Sequence, residues 1–411
     1  MKTLYRNATL ITIAEEKPFK GDILVEDKTI AAVGPNLPAD GAEVIDCSGL
    51  YATPGFIESH CHIQHVDITG ECHAFELYLA NGVTSMRNMF GNQAAQTGMI
   101  EPDTKKAAED IEAGRLLGPT LVNTSRIFDG QEPVQECSRS VTTEAMARYY
   151  VEEAVREGAT QIKIYEYITP EILDILYRLG KEKGMKIVGH NPQPVEQKFF
   201  YERAFSLEHD LSLADGDSDL LAQYDTYWIP TAIVVYNYDE IFKKRYRKFL
   251  RSDRYRYLHP NNWAMTCMYA PSMYLMRDDS TFRNLNFSKT KRIIRRYYEL
   301  GREVAAGTDF PNPFVYPGFS LHDEFVILKS CGLTNHQVLR SATIMGAKVL
   351  ELEHRKGTLE AGKDADIVFL RKNPLNDIRH TRSIQRVVAR GRRFDRPELD
   401  ALIKQSVIVH D

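Results

Sequence analysis

QIKIYEYITPEILDILYRLGKEKGMKIVGH, residues 161–190, is the stretch whose reading decides the fold. Gln161 to Tyr165 reads as a short buried strand. Pro170 to Gly184 reads as a helix with Ile172, Leu173, Leu176 and Leu179 on one stripe, and Lys186 to His190 as a second strand. Parallel strands need a crossover of about a dozen or more residues, so strand, helix and strand together form one βαβ unit.

The same rhythm runs outward from it. A helix ends near Arg203 and a strand follows at Ser206 to His209; Tyr227 to Val235, a helix at Lys289 to Leu300, and Glu303 to Asp309 continue the pattern. Upstream, Pro54-Gly55 makes a turn and Phe56-Ile57 opens a buried strand. The expected fold is α/β, a (β/α)8 TIM barrel over residues 54–354 with its chemistry at the carboxyl ends of the strands. Residues 236–286 form an inserted segment in it, longer than an ordinary connection.

The first fifty residues carry strand patterns at Thr3 to Ile13, Gly21 to Val33 and Glu43 to Cys47, too little apolar surface to fold alone. Gly357 to Leu370 and Arg382 to Phe394 supply more. We therefore expect a small β-sandwich domain built from both chain ends, residues 1–53 plus 355–411.

A chain of 411 residues with 43% hydrophobic content and a formal charge of -4 is ordinary for a water-soluble protein and argues against nucleic-acid binding overall. No apolar run reaches membrane-spanning length, and the start lacks the features of a secretory signal. Cys47, Cys61, Cys72, Cys137, Cys267 and Cys331 include no CxxC pair, which fits reduced thiols and a cytoplasmic location. The expected partners are a small-molecule substrate and further copies of the chain as a homo-oligomer, with neither nucleic acid nor membrane.

The polar residues at strand ends carry the chemistry. His60 and His62 stand two apart in FIESHCH, so both imidazoles project to one side while Cys61 points away. Imidazole suits zinc and its neighbours. Lys163 lies within a strand, and His190, His209 and Asp309 each end one. Any one alone is as readily a satisfied core histidine or a capping aspartate. All at corresponding places make a metal centre.

These residues sit in segments that resemble the amidohydrolase superfamily, in the branch of imidazolonepropionase-like hydrolases and metal-dependent Xaa-Pro dipeptidases. PGFIESHCH is similar to its strand-one motif, IKIY to its strand-four lysine, VGH and SLEH to its strand-five and strand-six histidines, and AAGTDF to its strand-eight aspartate. The tail stretches GLTNHQVLRSATIMGAKVLEL and GTLEAGKDADIVFLRKNPL resemble the branch as well. The resemblance implies that His60, His62 and Asp309 bind one divalent ion, His190 and His209 a second, and N-carboxylated Lys163 bridges them. It implies one or two divalent metal ions, zinc first, with manganese, cobalt or iron as alternatives. Hydrolysis of an amide or peptide-like C–N bond, in a dipeptide or N-acyl amino acid, would follow by attack of a metal-bound hydroxide, with Asp309 as catalytic proton carrier.

Several features depart from that pattern or stand beside it. Glu58 and Asn88 replace aspartates, and Lys163 is not followed by Gly-Gly. If Lys163 instead pairs with Glu166 or Glu182, a single ion on His60, His62, His190 and Asp309 remains. Tyr165, Tyr167, Tyr236 and His322, with His65 and Arg87, are candidates for facing substrate, though packing or an internal salt bridge explains each as well. The inserted segment, basic and aromatic and then apolar, is expected to be a lid or subunit contact. Thr334 and Gln337 form a capping box for a helix through Leu350. Other chemistries on the same centre are cyclic amide opening, deamination, and lactone or ester hydrolysis; the alternative to an enzyme is a metal-binding scaffold.

Overall fold

The computed structural model describes residues 2–69, 73–94, 99–209, 214–275 and 285–408. Cys72, part of the inserted segment, and the side chain of His65 lie outside this set.

The βαβ unit forms with its expected order. Gln161–Ile164 and Lys186–Gly189 pair in parallel, with Lys163 opposite Val188. Between them, helix Pro170–Lys183 starts at Thr169, whose hydroxyl accepts from the Ile172 N–H, and stops at Gly184, where φ of 70° suits a residue without a Cβ. Ile172, Leu173, Leu176 and Leu179 are its buried face.

Parallel pairing extends from Lys186–Gly189 to Ala204–Glu208 and on to Tyr227–Ile229. A second parallel sheet joins Phe56–Cys61, Val83–Asn88 and Thr120–Asn123. The two sheets meet through single bridges, Thr124 to Gln161 on one side, and Trp228 to Val304 and Cys61 to Phe310 on the other. The last segment, expected as the strand Glu303 to Asp309, forms single bridges rather than a continuous strand, although its backbone also bonds to Ser59, His60 and Trp228. It runs so close to its neighbours that a Cβ on Gly307 would lie 2.8 Å from the His60 Cβ and from Ile229.

Tyr227 to Val235 is shorter as a strand than its apolar run suggests. Pro230 and Thr231, at φ of 39°, end it, and helix Ala232–Phe242 begins. The buried Glu324 carboxylate fixes this start by accepting the N–H groups of Ala232 (3.0 Å) and Ile233 (2.7 Å). The capping box of Thr334 and Gln337 is present, but its helix stops at Ser341 and a second runs Ile344–Val349. The Thr343 hydroxyl turns back to the Leu339 carbonyl at that break.

Strands from both chain ends make one sheet of eight, where two packed sheets were expected. Lys2–Leu10 is the reason: it pairs Phe19–Glu26 on one edge and, on the other, Glu43–Asp46 along its first half and Tyr51–Pro54 at its end. Ile367–Leu370 then adds to Tyr51–Pro54. Gly21 to Val33 is a hairpin turning at Asp27, and Arg382 to Phe394 holds two strands. Tyr5, Leu10, Ile23, Ala52, Ile367 and Phe369 form the apolar core of this sheet.

His322 is a fold residue, contrary to its expected place at the pocket rim. It lies within helix Phe319–Ser330, buried against Phe56 and Phe325. Its Nε2–H donates to the Asn81 carbonyl at 3.0 Å, and Nδ1 lies 2.9 Å from the Thr381 hydroxyl. Burial lowers its pKa from 6.5 to about 3. Between these values the unfolded chain takes a proton that the native imidazole refuses, so stability must fall as pH drops from 6.5 towards 3. His322→Asn, keeping a donor but no titration, should flatten that acid slope by up to about 1.4 kcal/mol per pH unit in urea melts at stepped pH.

Candidate metal centre

Four of the parallel strands bring their polar ends to one place. His60 is fully buried on Phe56–Cys61, and the ligand atoms of His60, His62 and Asp309 all lie within 4.8 Å of one another. Asp309 Oδ1 stands 2.7 Å from His62 Nε2 and 3.4 Å from His60 Nε2, and its Oδ2 stands 3.5 Å from His209 Nε2. The His209 ring lies 4.3 Å from that of His60 and 5.0 Å from that of His190. Beside His190, at 4.2 Å between rings, is Tyr165, half-buried and the best placed of the substrate-facing candidates.

Three imidazoles are tied to the protein through Nδ1. His60 Nδ1 meets Glu208 at 2.7 Å, His190 Nδ1 meets Glu166 at 2.7 Å, and His209 Nδ1 meets the Thr231 hydroxyl at 2.5 Å. The two carboxylate contacts make Nδ1 the donor and leave Nε2 of His60 and His190 as the free lone pair, the arrangement of a metal-binding histidine, and the Thr231 hydroxyl holds the His209 ring by the same nitrogen. Burial lowers the His62 pKa to about 4, also lowers that of His190, and takes His209 well below the ordinary value, so the rings stand neutral. Against the cost of burial, His209 and His60 hold the Asp309 carboxyl well below the usual range.

Lys163 is 1% exposed, and its Nζ makes no hydrogen bond among the described residues. The pairing with Glu166 or Glu182 does not form: Glu166 holds His190, and Glu182 lies 3.6 Å from Arg148. Burial brings the lysine pKa down to about 8. His60 Nε2 and His62 Nδ1 are likewise buried without hydrogen-bond partners. Imidazole nitrogens, an amine and a carboxylate gathered in the interior fit a divalent cation, which would satisfy groups that otherwise cost free energy to bury.

Arg87, expected as a candidate to face substrate, is occupied by internal partners instead. It is wholly buried and spends its guanidinium on the Ser59 carbonyl (2.7 Å), Gln161 (3.0 Å), Ser206 (3.2 Å) and Glu208 (2.6 Å). Tyr236 is also turned to other work, on helix Ala232–Phe242 rather than in a loop. Its hydroxyl accepts from Lys248 at 2.7 Å and its ring packs on Phe249 and Phe287. Tyr167 is exposed. Of the two residues that replace aspartates, Glu58 accepts from the Thr308 N–H and hydroxyl, both at 2.8 Å, beside Asp309. Asn88 accepts from the Ile63 and Phe90 N–H groups.

Glu208 escaped the sequence reading although it precedes His209. Burial pushes its carboxyl up, but Arg87 and His60 outweigh that and hold it ionised. A charged residue within a short apolar strand was the available signal. Thr231 gave none, being one threonine after a proline.

If Arg87 serves the interior, Arg87→Met should lower unfolding stability by about 3–5 kcal/mol, since it leaves the Glu208 charge buried without its cation. Adding Glu208→Gln should recover part of that loss, a pattern that denaturant melts of the two single variants and the double variant will read.

The model of the Amidohydrolase family matches residues 51–394. A D-hydantoinase of Geobacillus stearothermophilus is 41% identical over 64 residues, 16% of this chain and 13% of that one. The chain thus aligns with only a small part of this curated relative. Among solved structures, a Xaa-Pro dipeptidase with bound methionine in the active site superposes with a TM-score of 0.75 at 20% identity, covering 96% of this chain and all of that one. A bottromycin amidohydrolase gives a TM-score of 0.79 at 24% identity, covering 98% and 89%. With a family match from residue 51 to residue 394, around a buried cluster of histidines, lysine and aspartate, the chain belongs to the Amidohydrolase family.

Proposed function

We propose that this protein is a metal-dependent hydrolase that cleaves an amide or peptide-like C–N bond, with dipeptides and N-acyl amino acids as the leading substrates. The observation that carries the reading is the set of three histidines, each anchored through Nδ1, gathered with Asp309 and with Lys163, whose amine has no hydrogen-bond partner among the described residues. Relatives named as a D-hydantoinase and a Xaa-Pro dipeptidase support the bond type. The single bridges joining the parallel sheets are read as closing a (β/α)8 TIM barrel over residues 54–354, with 1–53 plus 355–411 as the smaller domain.

His60, His62 and Asp309 would hold one divalent ion, zinc by ligand type, and His190 and His209 a second. Lys163, as its N-carboxylate, would lie between them. When bound, such ions lower the pKa of water and polarise a carbonyl oxygen. With its pKa near 8, Lys163 is neutral often enough to add carbon dioxide through its amine lone pair, releasing one proton. Asp309 has the position and charge to take a proton on a carboxylate oxygen from attacking water and return it to the leaving nitrogen. Tyr165 would wall the substrate on the His190 side.

The test is metal counting joined to turnover. Protein stripped by chelation and reloaded with zinc or manganese should bind two ions per chain and hydrolyse at least one class among Xaa-Pro dipeptides, other dipeptides and N-acyl amino acids. Asp309→Asn should lower kcat about 10²–10⁴-fold. A ceiling of one ion per chain would remove Lys163 from the centre and favour the single-ion arrangement. Turnover only of cyclic amides, lactones, esters or amino-substituted rings would move the substrate assignment, and metal without any turnover would leave a scaffold.

A further inference from the structure

Asp309 touches three histidines, so the direction in which its carboxylate points decides whether the cluster works as a unit. Oδ1 faces His62 and His60, and Oδ2 faces His209. Asn312 sets that direction. Its Nδ2 donates to Asp309 Oδ2 at 2.7 Å and to the Asp309 carbonyl at 2.9 Å. On its far side, Asn312 Oδ1 accepts from the Tyr238 hydroxyl at 2.5 Å. Carboxylate and carbonyl oxygens only accept, so the amide must turn its NH2 to Asp309 and its oxygen to the tyrosine, and the hydroxyl keeps it there.

Tyr238 belongs to helix Ala232–Phe242, which leads into the inserted segment. The same helix is tied to the centre at its start, where Thr231 meets His209. Two more contacts fasten it and its continuation to the chain after Asp309: Asn237 Nδ2 donates to the Pro313 carbonyl at 3.1 Å, and Phe249 stacks on Phe314 with centroids 4.9 Å apart. One helix therefore bears on both His209 and Asp309.

We propose that Asn312 and Tyr238 are positioning residues that fix the Asp309 carboxylate, and that the inserted segment acts on the rate of reaction through them. This rests on the reading of Asp309 as a metal-binding proton carrier. Without the Asn312 amide, the carboxylate is free to rotate away from one histidine pair; without the Tyr238 hydroxyl, the amide loses the contact on its far side that holds it against Asp309.

The experiment uses the full-length protein loaded with cobalt(II), whose visible absorption reports the ligand geometry directly. Asn312→Ala should weaken cobalt binding about 10–100-fold in chelator competition and alter the spectrum, and Tyr238→Phe should weaken it about tenfold, the range for groups that orient metal ligands. On any substrate found, both should lower kcat with KM unchanged, whereas general loosening of the fold would also raise KM. Should Asn312→Ala fail to fold by circular dichroism, Tyr238→Phe decides alone, since it removes one oxygen. Asp309→Asn is the control. If it changes affinity and spectrum while Asn312→Ala and Tyr238→Phe leave both unchanged, the positioning role is overturned and the metal reading stands. If Asp309→Asn itself changes neither, the metal reading of Asp309 falls and the positioning role falls with it.

Discussion

The Glu208 carboxylate is the contact on which the interior depends. It is ionised and without solvent, a state that costs several kcal/mol unless its oxygens are matched. Arg87 takes one oxygen and His60 the other, while the Ser206 hydroxyl adds a third bond at 2.5 Å. Because Arg87 also reaches Ser59 and Gln161, one guanidinium ties four of the parallel strands at their centre. The pair serves structure and chemistry together, since the carboxylate that Arg87 neutralises through one oxygen selects the tautomer of His60 through the other.

Around that centre every ligand candidate except Lys163 is braced by a contact to another element. Glu58 holds Thr308 next to Asp309, Thr231 meets His209, and Glu166 meets His190. Glu324 fixes the helix that follows Thr231. Lys163 is the exception, with an amine that no described residue contacts through a hydrogen bond. Preorganised imidazoles around one unbraced amine make sense if the amine acquires its contacts from outside the polypeptide.

What could be read from the sequence divides along a physical line. The βαβ unit at 161–190 was legible because helix and strand periods differ and Gly184 marks the stop. His60 and His62 were legible because alternation in a strand fixes which side chains share a face. The braces were not. Glu208, Thr231, Asn312 and Tyr238 are distant in sequence from the groups they hold, or stand where a bend breaks the alternation, as at His209 with φ of 61°. Arg87 and His322 misled for the same reason: a polar side chain near a strand end or helix start reads as facing the pocket until its partners are known. Tyr227 to Val235 was read as too long a strand because apolar β-branched residues suit a buried helix as well.

The sheet built from both chain ends carries a consequence for synthesis. Tyr51–Pro54 borders Lys2–Leu10 on one edge and Ile367–Leu370 on the other, so an early strand waits for a late one. A ribosome would release the opening hairpins with an open edge and a bare apolar face long before their neighbours exist. Pairing strands so distant in the chain carries a large loop-closure cost, so this sheet is among the slower parts of the fold to form.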